Sequence, residues 1–281
     1  MVSIKNKSLE QVEENTIVEP SSAWKSTVRS WFKKIFENSI IIILFLLLWE
    51  FAPRLGWVDS VFLPSFSTVV IAGWDLVVSG TLWDHFQASF LRSVIGFFIA
   101  LILAIPLGLL IGWYPLSRRL FNPILELFRN TATLALLPVF ILLLGIGEIS
   151  KISIVVYSCF FPILLNTIVA VNNVDPLYIK SARSMNVPTY KLFYKVVIPA
   201  SLPTIFTGIR MAGSYAILVL IAAEMVGAKA GLGYFITFAQ YNFYIAEMYA
   251  GIIVISLLGL IVNYSLLAVE NYFSRWKQDV K

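Results

Sequence analysis

The residue group best suited to chemistry in this sequence begins at Arg129 and continues with Asn130, Thr131 and Thr133. A guanidinium cation beside amide and hydroxyl groups is a combination that binds anionic ligands. The group falls in the third of several long apolar runs, and a charge within hydrocarbon is costly, so a functional role is our first hypothesis. The alternative is a structural arginine that extends to the membrane surface or pairs with Glu126, one turn earlier.

Single residues in other apolar runs are further candidates. Glu224 stands near the end of the fifth run, where an anion pathway disfavours a carboxylate, so a structural hydrogen bond or a partner contact is the alternative to a pathway role. Phe161 precedes Pro162 and is a candidate to line a cavity, although most aromatic residues in such a run only pack. Arg92 and Arg210 lie near the ends of their runs, and we expect both to extend to the membrane surface.

Motifs for nucleotide or covalent chemistry do not occur in the sequence. It contains no G-x-x-x-x-G-K-[ST] motif. The stretch GAKAGLG at 227–233 superficially resembles a phosphate-binding loop, but it follows no predicted strand and its glycines suit a tight turn. The single cysteine, Cys159, lies in an apolar run and is expected to be a packed thiol. We therefore predict no catalytic residue, no metal site and no cofactor in this chain.

The composition places these residues in a membrane protein. Of the 281 residues, 59% are hydrophobic and only 13% are charged, whereas a soluble domain of this size needs far more polar surface. A membrane-spanning helix needs about 20 apolar residues. We therefore predict an all-α, polytopic membrane protein with six transmembrane helices, over residues 38–56, 93–113, 130–147, 152–174, 204–228 and 248–269.

The basic residues predict how these helices are oriented. The net charge of +5 could indicate nucleic-acid binding, but Lys and Arg cluster at the ends of apolar runs, which is a topology signal and predicts no nucleic-acid partner. With both termini in the cytoplasm, Arg54, Lys151 and Lys229 are the only basic residues on outer segments. The inner segments then hold Lys5, Lys7, Lys25, Arg29, Lys33, Lys34, Arg118, Arg119, Lys180, Arg183, Lys191, Lys195, Arg275, Lys277 and Lys281.

This topology divides the chain into a membrane domain and two tails. Residues 1–37 form a cytoplasmic tail, in which the basic, amphipathic segment 23–37 suits a helix on an anionic membrane surface. The six-helix domain covers 38–270 and includes the cytoplasmic loop 175–203, and a second cytoplasmic tail covers 271–281.

The cytoplasmic loop 175–203 begins with a predicted short helix. Leu177, Ala182 and Met185 share an apolar face at helical spacing, and Lys180 points the other way. Asn186 tolerates the left-handed conformation that ends a helix.

A second short helix is predicted after the turn. Pro188 suits its first turn, because a proline has no N–H to leave unpaired there, and Leu192 lies on its apolar face. Pro199 and Pro203 then mark the return to the membrane. Such a stiff projection could dock into a groove on another protein; the alternative is a solvated surface loop.

The same loop resembles the signature loop of ATP-binding-cassette (ABC) importer permeases. The family pattern is Glu-Ala-Ala, three residues, Gly, nine residues, Ile, one residue and Leu-Pro, and this chain keeps the spacing with KSA at 180–182, Asn186 and VVIP at 196–199. Further stretches, among them PLGLLIGW, LALLPVFILLLGIGEISKI, FFPILLNT and AAEMVGAKAGLGYFI, look like the branch that imports nitrate, bicarbonate, taurine and alkanesulfonates. The resemblance covers about residues 40–275.

The resemblance implies a type I ABC importer permease fold and a coupling role for the loop. The loop would insert into a cleft of a cytoplasmic ATPase at 178–195, with Ala182 and Met185 facing the groove. The implied coupling residues are Tyr178, Lys180, Ser181, Ala182, Arg183, Met185, Asn186, Pro188, Leu192 and Pro199, and the candidate pathway residues are Arg129, Asn130, Thr131, Thr133, Phe161 and Glu224.

The resemblance also implies the partners and the location. The permease would act in the inner membrane as a homodimer, with two ATPase subunits that bind ATP and Mg²⁺ and with an external substrate-binding protein. The expected substrate is a small anion, first an alkanesulfonate or taurine and next nitrate or bicarbonate.

Three positions depart from the family pattern. Lys180 replaces the family glutamate and reverses its charge, and Asn186 replaces a glycine. The branch usually has a proline two or three residues after Arg129, where this chain reads RNTAT.

Other functions stay open at this point. A self-contained secondary transporter would need no ATPase, although it predicts internal repeats and several buried carboxylates. A permease for an uncharged or cationic molecule, such as a thiamine precursor, fits the same family. A membrane scaffold whose basic loop recruits a cytoplasmic protein is a third alternative.

Overall fold

The computed structural model describes residues 40–273, which are helical apart from short connections and contain no strand. The predicted amphipathic segment 23–37, the first two residues of the first predicted span and the C-terminal residues 274–281 lie outside the described residues. The chain divides into two compact units, up to Ser67 and from Thr68 onward.

The described part of the first unit is one helix and the segment that returns along it. Helix α1 covers residues 40–54. The Glu50 carboxylate forms an ion pair with Arg54 and accepts hydrogen bonds from the backbone N–H and the hydroxyl of Ser67, at 2.9 and 3.0 Å. The indole N–H of Trp49 donates to the Pro64 carbonyl at 3.1 Å. These contacts fix the returning segment against the helix.

The remaining helices follow in sequence, most of them separated by a few residues. Helix α2 begins at the end of the first unit, and the later helices belong to the second. They are α2 Phe66–Val78, α3 Thr81–Trp113, α4 Pro115–Arg129, α5 Leu137–Leu144, α6 Glu148–Asn172, α7 Pro176–Ser184, α8 Thr189–Glu224, α9 Leu232–Tyr241 and α10 Ile245–Phe273.

Four of these helices, α3, α6, α8 and α10, are long and apolar enough to cross a membrane. The pair formed by α4 and the segment Thr133–Leu144 adds a fifth crossing if it counts as one broken span. Helix α1 lies where the first span is predicted, so the helices of residues 40–273 are compatible with six crossings. The all-α fold class is confirmed.

Two helices begin well before the spans that the sequence analysis predicts. The second span starts at Thr81 rather than at residue 93, because Arg92 is paired inside the protein and does not interrupt the helix. The fifth span starts at Thr189 rather than at 204, so the predicted second short helix is wrong as a separate element. At Phe193–Val197 the helix continues through a π-type turn, in which the Ile198 N–H bonds to the Phe193 carbonyl.

The third predicted span, 130–147, is not one helix. Helix α4 ends at Arg129, and the chain turns through 86° before the segment Thr133–Leu144. The Asn130 amide donates to the Glu126 carbonyl at 2.9 Å, and the Thr131 hydroxyl donates to the Leu127 carbonyl at 3.0 Å. Asn and Thr side chains that bond nearby backbone carbonyls compete with helix continuation, which explains the break.

Helix α6 lies between α3 and α8 in the core. The α3 face that meets α6 carries Gly96, Ala100, Ala104 and Gly108 at four-residue spacing, and both alanines are fully buried. A Cβ atom on Gly108 would lie 2.7 Å from Thr167 of α6. Small residues of this kind let two helix backbones approach closely within a membrane.

Candidate functional site

A cavity of about 450 Å³ opens beside the break between α4 and α5. Its walls come from the break itself, from the central turns of α6 and from the second half of α8. The lining residues are Phe128, Arg129, Thr131, Ala132, Thr133, Tyr157, Ser158, Phe161, Pro162, Leu165, Asn166, Met211, Tyr215 and Val219. Four of the six predicted pathway residues, Arg129, Thr131, Thr133 and Phe161, therefore lie together on one cavity.

Arg129 is the cation of this cavity. It is the last residue of α4, at the break rather than inside a straight span, and its side chain is exposed in the single subunit. Within residues 40–273 it forms no ion pair, so the alternative pairing with Glu126 does not occur. The cavity lining contains no carboxylate. The positive charge therefore remains available to an anion.

Neutral polar groups reach the same cavity. Thr133 and Tyr215, which both carry hydroxyls, are lining residues, and the Thr131 hydroxyl donates to the Leu127 carbonyl. Asn166 donates its amide N–H to the Pro162 carbonyl at 2.8 Å, so its side-chain oxygen can still accept a hydrogen bond from another group. A cation with neighbouring hydroxyl donors is suited to bind an oxyanion.

Aromatic rings form one wall of the cavity. Phe128 stacks on Phe161, with ring centroids 5.8 Å apart, and Tyr157 meets Phe161 edge to face at 5.1 Å. The Tyr157 hydroxyl donates to the Phe128 carbonyl at 3.3 Å. The cavity lining thus combines a cation and hydroxyl-bearing residues with aromatic rings, which suits a ligand that has both an anionic and an apolar part.

The other two predicted pathway residues lie elsewhere. Asn130 is exposed and bonds back to its own helix. Glu224, at the end of α8, is 1% exposed and is not a lining residue of the cavity. Its carboxylate accepts hydrogen bonds from Arg92 at 2.6 Å, from Ser89 at 2.7 Å and from the Gly233 N–H at 3.0 Å. This is the structural alternative that the sequence analysis left open for Glu224.

Arg92 does not extend to the membrane surface, which corrects the expectation for this residue. It is 6% exposed and forms ion pairs with Glu148 and Glu224, and it donates to the Ala230 carbonyl at 2.7 Å. Two carboxylates and a carbonyl satisfy the guanidinium inside the protein. Arg210 likewise pairs with Glu270, at 3.0 Å.

The glycine-rich stretch 227–233 uses its N–H groups within the chain. Three successive N–H groups at the start of α9 are bonded, Gly231 to the His85 ring at 3.2 Å, Leu232 to the Ser89 hydroxyl at 2.8 Å and Gly233 to Glu224. A side chain at Gly231 would collide with the Glu224 carboxylate. The protein's own groups thus fill the place that a phosphate would take.

The loop 175–203 has the turn that the sequence predicts. Asn186 has φ 53°. Its N–H bonds to the Arg183 carbonyl at 2.9 Å, and the Val187 N–H bonds to the Ala182 carbonyl at 3.1 Å, which is a Schellman C-cap. Asp175 caps the start of α7 by accepting a hydrogen bond from the Leu177 N–H at 2.8 Å.

The predicted apolar face of α7 is wrong in one respect. Ala182 is buried, together with Leu192, in a cluster that also contains Val171, Val174 and Val197. Neither residue is accessible to another protein, because both pack the loop against the adjoining ends of α3, α6 and α8. Met185, by contrast, is 79% exposed. The exposed apolar side chains of the loop are Leu177, Tyr178, Met185, Tyr190 and Tyr194.

The other predicted coupling residues are mostly on the surface. Lys180, Ser181, Arg183, Asn186 and Pro188 are exposed, as is Pro199 at the start of the regular part of α8. The loop therefore presents apolar and aromatic side chains among basic ones.

Within the described residues, no three potential metal ligands lie together.

Sequence reasoning did not identify Tyr157, Asn166, Met211 and Tyr215 as cavity residues. They lie on α6 and α8, and only the packing of those helices brings them to Arg129. The spacing of Tyr157, Phe161 and Leu165 at four residues was a signal that one face of α6 is shared, but it does not say what that face meets.

The chain is similar in sequence to known membrane transport proteins. The family described as "Binding-protein-dependent transport system inner membrane component" matches residues 104–278. A protein of Escherichia coli (strain K12) named as an aliphatic sulfonates transport permease, SsuC, is 34% identical over 260 residues, which are 92% of this chain and 95% of that protein. The taurine transport system permease protein TauC of the same strain is 31% identical over 241 residues, 84% of this chain and 88% of that protein.

A solved structure has a similar fold. An inward-facing conformation of the MetNI methionine ABC transporter gives a TM-score of 0.58 at 19% identity, and the likeness covers 70% of this chain and 96% of that chain. At this identity the likeness concerns the fold alone, and it agrees with the predicted importer-permease fold.

Proposed function

Because the chain belongs to the family of binding-protein-dependent transport system inner membrane components, we propose that two copies of it form the pathway for a small anion. The chain is an ABC importer permease of the alkanesulfonate and taurine branch, a multi-pass protein of the inner membrane and not an enzyme. Importers of this family work with an ATPase and with an external substrate-binding protein, and ATP hydrolysis belongs to the ATPase.

The observation that carries the anion proposal is the unpaired Arg129 on a cavity without carboxylates. An alkanesulfonate or taurine is the first candidate, and nitrate or bicarbonate is the next. The sulfonate group would meet Arg129 and the Thr133 and Tyr215 hydroxyls, and the carbon chain would lie along Phe128 and Phe161. The side of the cavity that is open in one subunit would be closed by the second copy.

The test is uptake by the complete importer in liposomes. Permease, ATPase and binding protein are reconstituted together, and uptake of labelled ethanesulfonate and taurine is measured with ATP. Arg129→Gln removes the charge, and since a hydrogen bond to a charged group is worth about 1.5–3 kcal/mol, uptake should fall about tenfold or more. Arg129→Lys should retain part of the activity.

Arg119→Gln is the matched control for this test. Arg119 is an exposed arginine on the same helix that does not line the cavity, so its replacement should leave uptake unchanged. Full uptake by Arg129→Gln, with the complex intact, would contradict the anion pathway. Uptake by the permease alone without ATP would support a secondary transporter instead.

We propose further that the loop 178–195 couples the permease to its ATPase. The contact surface is the exposed set of Tyr178, Met185 and Tyr190 with the cations Lys180 and Arg183 around it. Ala182 and Leu192 support this surface from beneath. In this proposal the ATPase presents carboxylates to Lys180, where the family pattern has a glutamate.

Copurification tests the coupling surface. Met185→Glu places a charge at the centre of the apolar contact and should release the ATPase from the purified complex. Leu116→Glu is the control, because Leu116 is 70% exposed at the start of α4 and outside the loop. Retention of the ATPase by Met185→Glu would remove the loop from the interface.

An uncharged or cationic heterocycle is the second candidate substrate. The aromatic wall of Phe128, Tyr157 and Phe161 favours it, because rings stack on rings. The Arg129→Gln variant separates the two, since it should leave uptake of an uncharged thiamine precursor unchanged.

A further inference from the structure

The connection between α9 and α10 ends in three exposed aromatic residues. Tyr241, Phe243 and Tyr244, here called the aromatic tip (residues 241–244), are 79%, 73% and 52% exposed. Phe243 makes no ring contact within the described part of the chain. Rings exposed to this extent are open to contact with lipid or with another protein.

The backbone at Phe243 is in a conformation that this residue type rarely adopts. Its φ is 60°, and among residues 40–273 only Asn186 is another non-glycine residue with positive φ. The turn is again a Schellman C-cap, with the Phe243 N–H bonded to the Gln240 carbonyl at 3.2 Å and the Tyr244 N–H bonded to the Ala239 carbonyl at 2.9 Å. Glycine is the usual residue at this position.

Phenylalanine at this position is therefore disfavoured by the backbone and is not compensated by packing. For a bulky residue, positive φ is an outlier, and such strain concentrates at functional sites. A residue that strains the fold and presents its ring outward is of use only if something outside the chain binds the ring.

The aromatic tip stands on a fixed base. The first N–H groups of α9 are held by Ser89 and Glu224, and a Cβ at Gly251 of α10 would come within 3.1 Å of Phe235 of α9. The tip is thus presented with little freedom, which lowers the entropy lost when it is bound.

Acidic residues lie beside the aromatic tip. A groove of about 420 Å³ between α2 and the start of α10 is lined by Asp75, Ser79 and Glu247, and Glu247 is three residues from Tyr244. Carboxylates next to the tip favour an aqueous protein partner over a purely lipid contact. In the proposed topology α8 runs outward to Glu224 and α10 runs inward, so the tip faces the outside.

We propose that the aromatic tip and the acidic groove form the docking surface for the external substrate-binding protein. This rests on the proposed function, because it uses the outward orientation and the dependence on such a protein. The ring of Phe243 enters an apolar depression on the binding protein, and Asp75 and Glu247 meet Lys or Arg side chains at its rim. Tyrosine and charged rims of this kind are typical of protein interfaces.

The decisive variant is Phe243→Gly, because it removes both the backbone strain and the exposed ring. Loss of the strain should leave stability unchanged or raise it, whereas loss of the ring should weaken docking. Glycine relieves the backbone strain, so the thermal midpoint of the purified complex should stay equal or rise. The concentration of loaded binding protein that half-maximally stimulates ATPase activity should rise about tenfold or more, because an interface aromatic is lost. Glu247→Lys should raise the same concentration by repelling the cationic rim.

Two further variants keep the test interpretable. Tyr241→Ser removes a second ring of the tip without changing the strained position, so it serves if Phe243→Gly fails to fold. Tyr264→Ala is the matched control, because Tyr264 is 63% exposed on α10 but far from the tip, and it should leave the stimulation unchanged.

The outcomes separate this proposal from the proposed function. If the wild-type complex responds to binding protein and the tip variants respond at the same concentration, the docking proposal is overturned and the tip belongs to the lipid interface. If the wild-type complex retains no ATPase or shows no response to any binding protein, the proposed function itself fails.

Discussion

Replacing Glu224 by glutamine tests how the ionic cluster of Arg92, Glu148 and Glu224, which joins α3, α6 and α8, is held together. Arg92 bonds two carboxylates that differ in environment. The Glu224 side chain is 0% exposed, whereas that of Glu148 is 61% exposed. The same arginine therefore offers a comparison between a buried pair and a surface pair.

The expected loss for Glu224→Gln follows from its three hydrogen bonds. The glutamine amide cannot accept from Arg92, Ser89 and Gly233 at once, because its nitrogen is a donor that faces another donor. Removal of one partner of a buried pair costs about 3–5 kcal/mol. Glu148→Gln affects a solvent-exposed carboxylate and should cost about 0–1 kcal/mol.

The measurement is the free energy of unfolding of the purified chain, obtained by denaturant titration and followed by far-UV circular dichroism. Glu126→Gln, at an exposed carboxylate without an ion pair in the described chain, is the control and should change little. The double variant Arg92→Met with Glu224→Gln should cost less than the sum of the two single variants. Equal losses for Glu148→Gln and Glu224→Gln would refute the reasoning, because burial would then not decide the strength of the pair.

Three other stability predictions use the same titration. Gly108→Ala should lower the free energy of unfolding by about 1–3 kcal/mol, because the added Cβ would press into α6. Gly259→Ala on α10, where a Cβ meets open space, should be neutral or stabilise by up to about 1 kcal/mol. Equal effects of the two changes would contradict the close packing of α3 on α6. Asn186→Gly should stay within about 0.5 kcal/mol of wild type, and Asn186→Val should cost about 1–2 kcal/mol because of the left-handed backbone. Leu192 is 2% exposed, and Leu192→Ala should cost about 2–4 kcal/mol. Leu177 is 63% exposed, and Leu177→Ala should cost less than about 0.5 kcal/mol. Equal losses for the two variants would show that the loop is not packed as described.

The local features of the loop could be predicted from the sequence. The end of α7 at Asn186 depends on a few adjacent residues, and a residue type that tolerates positive φ is visible in the sequence itself. It was harder to predict which side chains of α7 pack inward and which are exposed. Ala182 and Met185 are three residues apart and fit one helical face, yet only Ala182 packs inward, since the helix ends at Ser184 and Met185 is already the cap residue.

The ionic cluster could not be predicted because its partners are distant in the chain. Arg92 bonds Glu148 and Glu224, 56 and 132 residues further on. Position near the end of an apolar run is compatible with both a paired arginine and one that extends to the surface. The cavity was hard to predict for the same reason, because its residues are distant in the chain. Arg129 could be identified by its charge, whereas Tyr215 is brought to the cavity only by the packing of α8.

The continuity of α8 has a mechanical consequence. Its 36 residues extend about 54 Å from the loop 175–203 at Thr189 to the ionic cluster at Glu224. Displacement of one end must displace the other unless the helix bends, and the π-type turn at Phe193–Val197 and Pro203 are the weakest points for bending. Distances measured between spin labels at the two ends would therefore stay constant during a transport cycle in which the helix moves as one stiff rod, and would shorten if it flexes at either point.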